Sequence, residues 1–188
     1  MDDMATVRAE TITFDEFMRL PDPLSGHLEL HDGEVVTVPP KTQSHSRIQR
    51  TLFTILMPKT EGKGFFNFEF PFRTTGDQCW QADLAFVVED RSDIPDPYLL
   101  GAPDWVIEVL SPSNTVGEID RKIDVCMSNG CMSFWLVDPK RRTVSVTERR
   151  DEAAIAPQCY LTLTFTAPES VPLPWPLEGT IEVKAIFG

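Results

Sequence analysis

The chain has 188 residues, a length that fits one domain spanning residues 1–188. Hydrophobic residues make up 41% and charged residues 24%, values that exclude a disordered tail, a collagen-like fibre and a membrane protein. Seventeen Lys and Arg stand against 29 Asp and Glu, a net charge of −12, which argues against a non-specific nucleic-acid coat because phosphate binding runs on basic side chains.

The first ten residues, MDDMATVRAE, are acidic and contain no apolar stretch, so they do not read as a signal peptide, and the expected location is the cytoplasm. Thr13 followed by Glu16 is a capping-box pattern, with Phe14, Phe17, Met18 and Leu20 at helical spacing before Pro21 and Pro23. His27–Leu30 and Glu34–Val38 read as two strands around Asp32-Gly33, a hairpin signal. Ser44–Met57 reads as a helix with Ile48, Leu52, Ile55 and Leu56 on one face, ended by Pro58. Strands follow at Phe65–Arg73, Gln81–Glu89 and Asp104–Leu110, the last two separated by a polar, Pro-rich loop. Asn114–Asn129 reads as a helix, and Ser133–Val137 and Thr143–Glu148 as strands joined by Asp138-Pro139-Lys140. A strand at Tyr160–Phe165, a Pro-rich loop and a further strand at Thr180–Ile186 complete the chain. The order predicts an α/β (α+β) protein built on one central sheet.

Cys79, Cys126, Cys131 and Cys159 form no C-x-x-C pair and the chain has three His, so a zinc ribbon or finger is not expected. The chemistry points elsewhere. Asp83 lies in QADLAFVV and Glu108 in DWVIEVLS, both inside apolar strands, where a carboxylate is expensive unless paired, hydrogen-bonded or bound to metal. Strand parity puts Gln81, Asp83 and Ala85 on one face, and Val106, Glu108 and Leu110 on one face of the next strand. Faces brought together in one sheet would make the acids converge, and two carboxylates suit a hard cation such as Mg²⁺. On the Asn114–Asn129 helix, Val116, Ile119, Ile123, Cys126 and Met127 define a buried stripe, with Lys122 at its edge. From there its stem can lie on the sheet while the ammonium reaches an acidic site. Acid, acid and lysine around a divalent metal form a hydrolytic kit. The competing reading is a structural ion pair in which Asp83 and Lys122 neutralise each other.

The strings HLELHDGEVV, QADLAFV, GAPDWVIEVLSPSN, the Asp120-Arg121-Lys122 segment and FWLVDPKRRTVSV resemble the Uma-type family of restriction endonucleases, a branch of the PD-(D/E)xK nuclease superfamily formerly classed as a domain of unknown function. The resemblance is strongest over residues 11–150. It implies a restriction-endonuclease-like core, a mixed sheet flanked by helices, with an N-terminal helix and hairpin added. It implies that Asp83 and Glu108 are the two metal-holding acids, that the Val109 carbonyl is a further ligand of Mg²⁺ or Mn²⁺, and that Lys122 assists the attacking water. The superfamily's lysine two residues after the second acid is replaced here by Leu110, and the proline of the first motif by Ala82. Glu29 and His45 resemble recurrent polar positions and are accessory candidates. The implied activity is hydrolysis of DNA phosphodiester bonds, with RNA as a related possibility, by a homodimer on fold analogy. The alternative is a nuclease-fold interaction module, or a subunit of a larger complex, without turnover.

Arg47, Arg50 and Arg73 would line a DNA groove if their helix and strand face the site. Glu69 reads as an exposed acid with a second reading as part of the cluster. Ser111-Pro112-Ser113 reads as a turn and N-cap before the helix, Lys140-Arg141-Arg142 as a solvated turn, and Trp175 as a packing or subunit contact. The charge of −12 sharpens into an expectation that DNA engagement is weak, salt-sensitive and metal-assisted, or needs a partner.

Overall fold

The computed structural model describes residues 11–91, 98–149 and 160–188; Cys159 and positions 92–97 of the polar loop lie outside these. Helix α1 (Phe14–Phe17) is one turn, started by the expected capping box in which the Glu16 N–H donates to Thr13 Oγ1 at 3.3 Å and the Thr13 N–H to Glu16 Oε2 at 2.8 Å. It stops before Leu20. Strands β1 (His27–His31) and β2 (Glu34–Val38) pair His31 with Glu34, leaving Asp32 (φ 52°) and Gly33 (φ 83°) as a two-residue turn. Positive φ at both positions is the geometry that matches strand twist.

Helix α2 runs Gln43–Thr60, through Pro58 rather than ending at it. Proline near a C-terminus costs one hydrogen bond, and the buried Leu56 and Thr60 on either side anchor the last turn. Strands β3 (Gly64–Thr74) and β4 (Gln78–Val88) then form the longest hairpin, and β5 (Leu99–Leu100) pairs with the end of β3. Strand β6 (Trp105–Val109) follows, then α3 (Val116–Ser128), β7 (Ser133–Asp138), β8 (Thr143–Arg149) and β9 (Tyr160–Thr166). The α3 cap is Thr115, whose hydroxyl accepts from Glu118 N–H in a second capping box, and not the Ser111–Ser113 segment. Val116 is exposed, so the buried stripe of α3 begins at Ile119. The C-terminal segment differs from expectation. β10 (Ser170–Pro172) and β11 (Thr180–Glu182) form a separate two-stranded sheet, and Val183–Phe187 is a helix, α4. Val183 and Ile186 are three residues apart and both buried, a helical spacing that overrides the apparent alternation.

Among the described residues the central sheet has nine strands in the order β2-β1-β4-β6-β7-β8-β9, with β3 branching from β4 and β5 pairing with β3. β6 and β7 are parallel, joined by α3, and the other pairs on that path are antiparallel. One core joins Ile48, Leu52 and Leu56 of α2 to Leu84, Phe86, Trp105, Ile107 and Trp135 of the sheet and to Val171, Ile181 and Ile186 of the C-terminal segment. A second joins Cys126 and Met127 of α3 to Ala82, Ala85, Val106 and Phe134.

The sheet forks at β4. β1 pairs with β4 at Cys79, whereas β6 pairs with it from Leu84 to Phe86. Residues 80–83 lie between the two partners. Backbone donors and acceptors in such a gap must still be satisfied, and the residues that satisfy them build the site.

Candidate active site

Four side chains complete the hydrogen bonding of the fork. Glu29 Oε1, from β1, accepts from the Gln81 N–H at 2.9 Å. Lys122 Nζ, from α3, donates to the Gln81 carbonyl at 2.7 Å. Glu108 Oε1, from β6, accepts from the Asp83 N–H at 3.1 Å. The Asp83 carbonyl accepts from Gln49 Nε2 of α2 at 2.6 Å. The charged groups of the site therefore stand where ladder partners would stand in an unbroken sheet.

The β4–β6 register sets Leu84 opposite Ile107, so one further step places Asp83 opposite Glu108. The two acids meet, but the β4 alternation expected from parity breaks at Asp83: Trp80 and Ala82 share a core with Ala85 and Val87, whereas Leu84 and Phe86 enter the other, so Gln81 and Ala85 do not share a face. Lys122 Nζ lies 2.8 Å from Glu108 Oε1 and 3.9 Å from Glu29 Oε1. The simple Asp83–Lys122 pair is not what forms. Asp83 is instead held by Lys41 Nζ at 2.5 Å from Oδ1, by His45 Nε2 at 2.8 Å from Oδ2, and by the Val109 N–H at 2.7 Å from Oδ2. His45 sits in the first turn of α2, whose N-cap Thr42 accepts its backbone N–H. Arg121, next to Lys122, pairs with Asp32 of the β1–β2 turn and so ties α3 to the hairpin.

Glu69 joins the cluster rather than standing apart. It interrupts β3 with φ 51°, a conformation that costs a non-glycine residue about 1–3 kcal/mol. Its carboxylate accepts from Lys41 Nζ at 2.5 Å, Gln81 Nε2 at 2.8 Å and Gln49 Nε2 at 3.2 Å. Glu29 also accepts from His31 Nε2 at 2.8 Å, and the His31 ring stacks on Trp80 with centroids 3.6 Å apart.

Burial and neighbours split the acids. Burial raises the Asp83 carboxyl, but hydrogen bonding from His45 and the Lys41 charge overcome it and hold the group near 2. Burial dominates at Glu108, with the Lys122 ammonium opposing it and the Asp83 charge adding to it, and its carboxyl is pushed up to about 7. Glu29 is buried too, yet Lys122 and the two imidazoles keep it well below the usual carboxylate range. Burial would lower Lys122, but Glu108, Glu29 and Asp83 raise it, so it remains an ammonium.

Asp83, Glu108, Val109, Lys122, Glu29, His45 and Lys41 all line one cavity of about 320 Å³. Arg47 and Arg50 are exposed on α2 and do not line it. Arg73 does not either; its guanidinium lies 3.8 Å from the Phe14 ring centroid. Lys140 and Arg141 donate backbone N–H groups to Asp138 in a turn, and Trp175 is exposed. Lys41 carries no periodic or motif signal, since it lies in the irregular segment between β2 and α2; the adjoining Pro39-Pro40 marks only a rigid approach.

Among the described residues no three His, Cys, Asp or Glu side chains converge as a closed metal cage. Two facing carboxylates suit Mg²⁺ nonetheless, which keeps several waters and is held through one or two protein carboxylates plus substrate oxygens. Charge agrees. Glu29, Glu69, Asp83 and Glu108 face Lys41 and Lys122, with His31 on Glu29 and His45 on Asp83, so carboxylates outnumber ammonium groups around the cavity.

A family model described as "Uma2: Putative restriction endonuclease" matches residues 14–182. A crystal structure described as that of a "putative nuclease belonging to DUF820" from Anabaena variabilis ATCC 29413 superposes with a TM-score of 0.81 at 26% identity, covering 94% of this chain and 97% of that one. No protein of the curated set matches. No helix among the described residues is long and apolar enough to cross a membrane.

Proposed function

The chain belongs to the Uma2 family of restriction-endonuclease-like proteins, and on that premise we propose that it is a Mg²⁺-dependent endonuclease hydrolysing DNA phosphodiester bonds at the β4 fork. The observation that carries this reading is the meeting of Asp83, Glu108 and Lys122, from three separate elements, in one cavity. Asp83 and Glu108 hold the cation, Mg²⁺ or Mn²⁺, with the Val109 carbonyl as a third oxygen. Bound there, the cation supplies Lewis-acid polarisation of the phosphate and a lowered pKa for water.

The remaining roles belong to the protein. Lys122 spends two of its three N–H donors on Gln81 and Glu108, leaving one for a water or a phosphate oxygen. As an ammonium it orients the nucleophile and stabilises developing negative charge; it does not take up a proton. His45 and the Val109 N–H fix the Asp83 carboxylate, and Glu29 steadies Lys122 through Gln81. Arg47 and Arg50, exposed on α2, are assigned phosphate contacts outside the cavity. A homodimer, acting in the cytoplasm, would present two such sites to a duplex.

The test is nicking of supercoiled DNA with Mg²⁺ or Mn²⁺, with a parallel RNA arm. Asp83→Ala and Glu108→Ala should abolish cleavage, and Lys122→Ala should lower it by about 10²–10³-fold. Cleavage surviving all three substitutions would place the chemistry elsewhere. A second reading, an interaction module without turnover, draws on the net charge of −12. It requires no cleavage with either metal by correctly folded protein.

A further inference from the structure

Every carboxylate in the proposed metal pair already has a protein cation against it, and the two cations are not equivalent. Lys122 is buried on α3, and its ammonium is tied to the Gln81 carbonyl as well as to Glu108, so moving it would reopen the backbone gap at the fork. Lys41 has no such duty. It lies outside regular structure between β2 and the α2 cap, and its long side chain is about one-fifth exposed. Its Nζ is shared, 2.5 Å from Asp83 Oδ1 inside the cavity and 2.5 Å from Glu69 Oε1 at the rim. Asp83 is almost fully buried, whereas the Glu69 side chain is about half exposed. The ammonium can therefore withdraw from Asp83 and keep a carboxylate partner. The φ of 51° at Glu69 marks the point where β3 turns over, with Phe66 in one core and Phe70 and Phe72 in the other, and it presents the Glu69 carboxylate to Lys41.

We propose that Lys41 is a built-in competitor for the divalent cation: it occupies Asp83 Oδ1 while the metal is absent and retires onto Glu69 when the metal binds. The inference rests on the metal reading above. It makes metal loading a cation exchange, in which one ammonium leaves Asp83 as one cation arrives. The released ammonium stays at the cavity mouth, where it can meet a substrate phosphate. Metal affinity is then set below what the two carboxylates alone would give.

Calorimetric Mn²⁺ titrations of the full chain compare wild type with Lys41→Met, Lys41→Arg and Asp83→Asn. Removing the competitor should tighten Mn²⁺ binding in Lys41→Met by at least about tenfold, the equivalent of one pKa unit of charge interaction. Lys41→Arg keeps the charge and should not tighten it, and Asp83→Asn should lose it. Wild-type protein supplies a second measurement that does not depend on the folding of Lys41→Met: reductive methylation of Lys41, read by peptide mapping, should rise several-fold on Mg²⁺ saturation. Equal or weaker Mn²⁺ binding in folded Lys41→Met, or a Lys41 labelling rate unmoved by Mg²⁺, overturns the proposal while the metal site stands, provided Asp83→Asn still removes the heat. Heat absent from both wild type and Lys41→Met, or retained in Asp83→Asn, overturns the metal reading and this inference with it.

Discussion

The Glu108–Lys122 pair should be strongly coupled in folding, and a double-mutant cycle measures it. Both groups are buried, and the pair spans 2.8 Å between β6 and α3. Lys122→Met removes the ammonium from Glu108 and from the Gln81 carbonyl, leaving the buried carboxylate with the Asp83 N–H at 3.1 Å. Breaking a buried pair from one side costs about 3–5 kcal/mol. Glu108→Gln removes the other charge, while Lys122 keeps the Gln81 carbonyl and Glu29 at 3.9 Å, so its cost falls toward the lower end of the same range of about 3–5 kcal/mol. The double variant leaves neither charge unpaired and should cost less than the sum by about 2 kcal/mol. The assay is urea unfolding with EDTA present, since bound metal would stabilise the folded state. It should be run at pH 8, above the value of about 7 to which burial raises Glu108, so that both charges are in place. Single-variant costs that add to within about 0.5 kcal/mol would refute the coupling, and with it the arrangement of Lys122 on Glu108.

Other consequences follow from particular contacts. Thr115→Ala removes the hydroxyl that accepts Glu118 N–H and should destabilise the protein by about 1 kcal/mol in the same unfolding assay, with an unchanged m-value. Gly26→Ala would place a Cβ 1.9 Å from the Val38 carbonyl oxygen at a φ of 79°, and should cost more than about 1 kcal/mol; a neutral result would show that the entry to β1 relaxes freely. Burial pushes the Cys79 and Cys131 thiols up to about 12 and Cys126 well above the usual thiol value, so at pH 8 iodoacetamide should label these three only after unfolding. Native-state labelling by peptide mapping would contradict that. With a net charge of −12, DNA binding should be weak, should need metal and should fall steeply with salt in a filter or anisotropy assay. A tight, salt-independent complex without metal would contradict it.

Local signals located most elements, because capping boxes, turn residues and periodicity act over four to seven residues. Thr13 with Glu16 and Asp32-Gly33 formed what their chemistry favours. Where prediction and structure part, a longer-range contact prevailed. Pro58 does not end α2 because buried neighbours hold its last turn, and Val183–Phe187 is a helix because Val183 and Ile186 pack into the core shared with α2.

Apolar strand context was enough to mark which acids would be costly to bury. Alternation held along β6 but broke in β4 at Asp83, where tertiary packing turns the strand over. Two acids in adjacent apolar strands made Asp83 and Glu108 legible as a pair, and Lys122 as a reaching lysine at a stripe edge. Their electrostatic partners were not. That Lys122 binds Glu108 rather than Asp83, that Lys41 and His45 hold Asp83, and that Glu69 belongs to the cluster depend on where β4 changes partner from β1 to β6. No local pattern encodes that change, because it arises from the register of strands far apart in the chain. The gap it leaves in the backbone ladder must be filled by polar side chains, and tertiary structure alone decides which ones reach it.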